Sequence, residues 1–139
     1  MEAREFVRYA KSYAADDSVK MVLRELKSPR TFPKTESKDP IQRGISDWLE
    51  QKQLSKKNQS EWFASLSEEG QTNIRQLLQE CSELTLFQFF ALIDGIGGEY
   101  EGVFEIIAID EINRTLVNPQ NTQMLHSLLS EVCEEDRTT

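Results

Sequence analysis

The chain has one histidine and two cysteines in 139 residues, too few for a zinc site built mainly of thiolate and imidazole. No apolar run approaches the roughly 20 residues that a bilayer-crossing helix needs. The opening stretch MEAREFVRYAK has no apolar centre of the signal-peptide kind. These absences point to a cytoplasmic protein with no membrane association, no metal and no cofactor. In a reducing compartment Cys81 and Cys133 are expected as free, half-buried thiols. Base is scarce in the second half. Residues 1–60 carry 13 Lys and Arg against 9 Asp and Glu, whereas residues 61–139 carry 3 against 15, for an overall net charge of −8. Between Asp94 and Glu111 there are six acids and no base. Such an asymmetry reads either as attraction between the two halves or as an acidic surface for a basic partner.

The apolar material is concentrated in one stretch. Eight of the ten residues Leu84–Ile93 are apolar, and a helix with so narrow a polar face is expected to be buried on most sides. Gly95-Ile96-Gly97-Gly98 follows, then a β-type run, Val103–Ile109, and a second short strand near Thr115–Asn118. Phe104, Ile106 and Ala108 alternate onto one strand face, and Val103, Glu105, Ile107 and Ile109 onto the other. The apolar first face is expected to pack on helices.

Before this unit the pattern is helical. Glu2–Ala14 carries Phe6, Ala10 and Tyr13 on one face. A second helix, capped by Asp16 or Asp17, carries Val19, Val22, Leu23 and Leu26. A short connection predicts that the two pair antiparallel. Arg4, Arg8 and Lys11, and again Lys20, Arg24 and Lys27, fall on single helix faces and are expected as solvated surface. Pro29–Asp39 reads as a loop pinned by Phe32. Asp39-Pro40 opens a helix with Ile41, Ile45, Trp48 and Leu49 inward, Lys52–Gln59 reads as a turn, and Ser60 caps a short helix bearing Trp62. Both tryptophans are expected in the core. Ser67 starts the next helix, whose stripe of Ile74, Leu77, Leu78 and Cys81 predicts a buried Cys81, with a bend near Ser82. Asn118-Pro119 repeats the cap-plus-proline signal before a last helix carrying Met124, Leu125, Leu128, Leu129 and Val132.

Little here carries reaction chemistry. His126, beside the apolar stripe of the last helix, has no partner signature and reads as a surface or boundary residue. Asp94-Gly95-Ile96-Gly97-Gly98-Glu99 closes a helix and precedes a strand, the reverse of a dinucleotide fingerprint, and lacks the ligand spacing of a calcium loop. Glycines that end a helix through left-handed conformations explain it.

The run FFALIDGIGG, an acidic turn, strand–turn–strand, Val117-Asn118 and MLHSLL resembles the C-terminal half of small bacterial proteins of uncertain function, over roughly Leu84–Leu129. Some of that group look like immunity proteins encoded beside secreted or contact-delivered toxins. The resemblance implies a binding protein without enzymatic activity. The expectation is therefore one domain over residues 1–139, with a helical part over about 1–94 and a hairpin and last helix over about 99–134. Its class is α+β, predominantly helical, with a C-terminal β-hairpin between a buried central helix and a last helix. The expected function is binding of a basic protein, a toxin domain being the leading case, through Glu99, Tyr100, Glu101, Glu105, Asp110 and Glu111. The alternative is a regulatory protein whose basic N-terminal helices contact nucleic acid.

Overall fold

A computed structural model describes residues 1–33, 36–96, 104–109, 112–119 and 122–138. The fold is mostly helical, with a two-stranded antiparallel hairpin before the last helix. The elements are α1 (Ala3–Ala10), a π-helical stretch (Lys11–Asp16), α2 (Asp17–Lys27), α3 (Pro40–Ser65), α4 (Glu68–Ile93), β1 (Ile107–Ile109), β2 (Arg114–Leu116) and α5 (Leu125–Thr138). Among the described residues no helix is long and apolar enough to cross a membrane. The chain forms two compact units: unit 1, Met1–Ser18 with Leu78–Thr139, and unit 2, Val19–Leu77. The charge divides with them. Unit 1 holds 16 acids and 5 bases, unit 2 holds 8 acids and 11 bases.

In unit 1, Val7 and Ala15 join Leu86, Phe90 and Ile93 of α4 and Leu125, Leu128, Leu129, Val132 and Cys133 of α5 in a single core, with Phe6, Phe87 and Ile106 packed against it. The expected turn between the first two helices is absent. The backbone is helical from α1 through α2, since no glycine or proline interrupts it and the wider π turn takes up the change of phase. In that stretch the Ser82 hydroxyl donates to the Ala15 carbonyl at 3.3 Å, and the Gln79 amide donates to Asp16 at 2.8 Å. Lys11 is not solvated surface: it is only 5% exposed.

The apolar C-terminal part of α4 is less enclosed than its composition predicts. Leu86, Phe90 and Ile93 are buried, Phe87 is half-buried, and Leu84, Phe89 and Leu92 are exposed. Helical periodicity gives each neighbouring element only one side of the cylinder. The same periodicity places Cys81 on the outer side, exposed rather than in the core. The helix continues past Ser82 without ending.

In unit 2 the Asp39 carboxylate accepts the Ile41 amide at 2.9 Å, with Pro40 at the first helical position, the capping expected there. At the start of α4 the Ser67 hydroxyl accepts from the Gly70 amide at 3.1 Å. Lys52–Gln59 is not a turn but the middle of α3. It holds no glycine or proline, and its lysines and glutamines are good helix formers. Continuing the helix turns Trp48 and Trp62 outward, both more than half exposed, against their expected core role. Lys52 lies over the Trp48 ring at 4.7 Å. Phe63 and Val19 are the buried residues here. Lys56 pairs with Glu25 of α2 at 2.9 Å, and that hydrogen bond holds the Glu25 carboxyl below its usual range. Phe32 and Pro33 border an open groove of about 390 Å³ along Leu49, Gln53 and Leu54.

Candidate functional site

The hairpin region of unit 1 holds Glu105, one of the residues expected to contact a partner, and the end of α4 sets its position. Gly95 takes φ 78°, a conformation that costs an L side chain energy. The Gly95 amide then bonds Leu92 O at 3.1 Å and the Ile96 amide bonds Ala91 O at 2.7 Å. This pair of bonds caps the helix C-terminus, as the glycines predicted. The chain rejoins α4 where the Phe104 amide donates to Ile93 O at 3.0 Å.

The hairpin pairs Ile107 with Leu116, Ala108 with Thr115 and Ile109 with Arg114. Asn118 adds a side-chain rung: its Oδ1 accepts the Ile106 amide and its Nδ2 donates to Phe104 O, each at 2.7 Å. Asn118 therefore fastens the two strands rather than capping α5, which begins at Leu125. Ile106 meets the core and Ala108 is half-buried, whereas Phe104, expected on the same packed face, is 46% exposed. Glu105, Ile107, Ile109 and Leu116 are exposed. Of the six candidate contact residues only Glu105 is described. Glu99, Tyr100, Glu101, Asp110 and Glu111 lie outside the described residues.

What caps α5 is a residue that sequence reading did not connect to it. One Asp94 oxygen accepts the His126 backbone amide at 3.0 Å and pairs with His126 Nδ1 at 2.8 Å. The Phe87 ring meets the imidazole edge-on at 5.4 Å, and Ser127 Oγ lies 3.4 Å from Nε2. Carboxylate, imidazole and hydroxyl thus stand in a row, the order a nucleophilic triad uses. Among the described residues, two clefts of unit 1 lie near these elements. One, of about 330 Å³, lies between α4 and α5 over Leu84, Phe87, Leu129 and Cys133. The other, of about 410 Å³, lies between Met1–Arg4 and Thr115–Val117. Neither is lined by His126 or Ser127. The row acts as a strut that ties the end of α4 to the start of α5 and satisfies an orphan helix amide. His126 occupies the boundary position expected of it, and no spacing rule joins residues 32 apart in sequence.

The basic stripe of α1 is met by acids of α5. Arg4 pairs with Glu131 at 2.9 Å and with Glu135, Arg8 with Glu135 at 2.9 Å, and Lys11 with Asp136 at 2.7 Å. The Arg8 hydrogen bond leads in holding the Glu135 carboxyl below its usual range, and that to Glu131 leads in raising Arg4. Attraction between the basic start and acidic end of the chain accordingly accounts for part of the charge asymmetry.

Burial pushes the Cys133 thiol up to about 11, helped by the Glu83 charge. Cys81 is exposed and Cys133 buried, so their reactivities should separate. In folded protein near neutral pH, a thiol reagent is expected to label Cys81 quickly and Cys133 only after denaturant is added. Mass spectrometry of the labelled peptides checks this; equal labelling rates would contradict the packing of α5.

Among the described residues no cluster of His, Cys, Asp and Glu is placed to hold a metal ion. No family model, curated protein or solved structure matches the chain.

Proposed function

We propose that this chain is a cytoplasmic, non-enzymatic protein-binding protein that occupies a basic partner through the hairpin side of unit 1, in the manner of an immunity protein neutralising a toxin. The observation that carries the reading is the outward side of the hairpin. Ile107, Ile109 and Leu116 are exposed there together with Glu105 and with Arg114, the cross-strand neighbour of Ile109, in a unit of 16 acids and 5 bases. Exposed apolar residues on a unit with a large excess of acids suit a protein interface, in which apolar contact supplies affinity and the net charge speeds encounter and rejects acidic competitors.

The pairing of Arg4, Arg8 and Lys11 with carboxylates weighs against the alternative, because a phosphate would have to displace acids already in place. A nucleic-acid reading therefore rests on Lys20, Arg24 and Lys27 of α2.

The test uses the protein with Glu99, Glu101, Glu105 and Glu111 all changed to lysine, its folding checked by circular dichroism. Binding is measured to the product of the neighbouring gene, and mobility shift is measured with duplex DNA and single-stranded RNA. The expected result is loss of protein binding in the variant and no nucleic-acid shift by wild type in physiological salt. Salt-sensitive retention of DNA or RNA, removed by Lys20→Gln with Arg24→Gln and Lys27→Gln, would replace this reading with the other.

A further inference from the structure

The hairpin is a sheet of two strands, and such a sheet has two edges and little stability of its own. The Val117 amide donates to Ile106 O at 2.8 Å, and this sets the phase of the ladder. Ala108 and Thr115 exchange the bonds inside the pair, while the backbone N–H and C=O of Ile107 and Ile109 point away from β2. Among the described residues nothing bonds to that outer edge of β1. The side chains beside it are apolar and uncovered: Ile107 is 41% exposed and Ile109 69%. The opposite edge differs. Thr115 and Leu116 of β2 and the following Val117 form one wall of the cleft whose other wall is Met1–Arg4, where α1 begins. Native sheets blunt an open edge with lysine, proline, a bulge or a covering element, and β1, Ile-Ala-Ile, carries neither lysine nor proline.

Resting on the reading above, we infer that β1 is a strand-acceptor edge, and that the basic partner adds an extended segment with β-branched residues beside Ile107 and Ile109 and a lysine or arginine beside Glu105. Main-chain bonds to Ile107 and Ile109 supply the pairing, and alternate partner side chains lie over the exposed isoleucines. The partner's charge follows from that of the unit. A second copy would bring another 16 acids against 5 bases to the same edge, whereas a basic strand meets Glu105, exposed just before β1, and is separated from the exposed Arg114 of β2 by β1 itself. The second copy is thus the disfavoured occupant.

The probe is a fluorescein-labelled extended peptide of lysine and valine, with valine at two successive positions of one strand face and lysine at the next position of that face, read by fluorescence anisotropy against the full chain. Two companions are the same peptide with N-methyl groups on the amides of one strand edge, and a glutamate–valine peptide. The protein variant is Ile109→Pro, which removes an outward N–H and leaves the bonds through Ala108 in place. We expect saturable binding of the lysine peptide and none of the glutamate peptide. Binding should weaken roughly tenfold on N-methylation and again in Ile109→Pro, as the loss of main-chain hydrogen bonds requires. Equal binding of the methylated and unmethylated lysine peptides would overturn strand pairing and leave the acidic-surface reading standing. No binding of the lysine peptide, by protein that still binds its neighbouring-gene product through the acidic residues, would likewise overturn strand pairing alone. Loss of both would remove both readings. Concentration-dependent dimers in sedimentation, abolished by Ile109→Pro, would assign the edge to a second copy and overturn the basic partner. N-methylation leaves the protein untouched, so the comparison holds even if the proline variant misfolds.

Discussion

Replacing Phe90 by alanine is expected to lower the unfolding free energy by about 3–5 kcal/mol. The side chain is fully buried, its ring centroid stands 5.9 Å from that of Phe6, and it belongs to the core cluster that includes Val7, Leu125 and Leu129. Three helices therefore lose contact around one cavity, and the surrounding backbone relaxes only in part. Phe89, the next residue, is 54% exposed and is the natural control: Phe89→Ala should cost about 1 kcal/mol or less, in the range of ordinary surface changes. Urea unfolding of the two variants with wild type checks both values. Equal midpoints for Phe90→Ala and wild type would show that α4 presents a different face to the core.

Lys11→Met should have the next largest effect, about 2–3 kcal/mol. The ammonium group of Lys11 lies 2.7 Å from Asp136, 3.2 Å from Asp16 and 4.0 Å from Glu83. Removing one partner of a buried ionic group leaves the others uncompensated, a loss of roughly 3–5 kcal/mol in fully buried cases. Asp136 is 58% exposed, so water takes up part of that charge and the expected cost is smaller. Asp16→Asn should cost less than Lys11→Met, because two acids would still face the lysine.

The same group makes a pH prediction. Burial lowers the Lys11 pKa, but the hydrogen bonds to Asp136 and Asp16 and their charges outweigh it, and the value stands above the ordinary 10.5. A cation whose pKa is raised by folding stabilises the folded state fully below its unfolded pKa and loses that contribution as pH rises through the folded value. Wild type should thus lose stability faster than Lys11→Met above about pH 10.5, and the difference between them should stay constant from pH 7 to about 9. Thermal unfolding of both proteins across that range is the measurement. A gap that widens with rising pH would show that Lys11 is not held as a cation by these acids.

Some local signals held and others did not: the caps expected at Ser60 and Asn118 did not form, since α3 runs through the first and the second bonds the strands. Asp39-Pro40 and Ser67 announced helix starts, and Gly95 announced a helix end, because each completes hydrogen bonds with residues within a few positions of itself. The position and type of the hairpin were legible for the same reason, in an alternating apolar run followed by a turn. Two expected turns, near residues 15 and 55, did not form. Polar composition alone does not stop a helix when glycine and proline are missing, and the polar face of a long helix reads like a loop in a short window.

Burial was the weakest inference. Trp48, Trp62 and Cys81 were expected inside by residue type and helical spacing, and all three are exposed. Periodicity says which residues share a face, but which face meets the core depends on elements far along the chain. Lys11 shows the converse. A lysine spaced for the solvated stripe is buried because α5 brings Asp136 to it from 125 positions away, with Asp16 and Glu83 beside it.

The amino-acid order by itself determined the helical α+β class, the hairpin before the last helix and the split of charge between basic and acidic parts, since these depend on composition, caps and the period of apolar residues. Only tertiary structure decided that the acids of α5 neutralise the stripe on α1 and that Asp94 rather than Asn118 caps α5. Each of these is a meeting of residues far apart in sequence, and such a meeting is selected by the packing of whole elements, on which no local pattern reports.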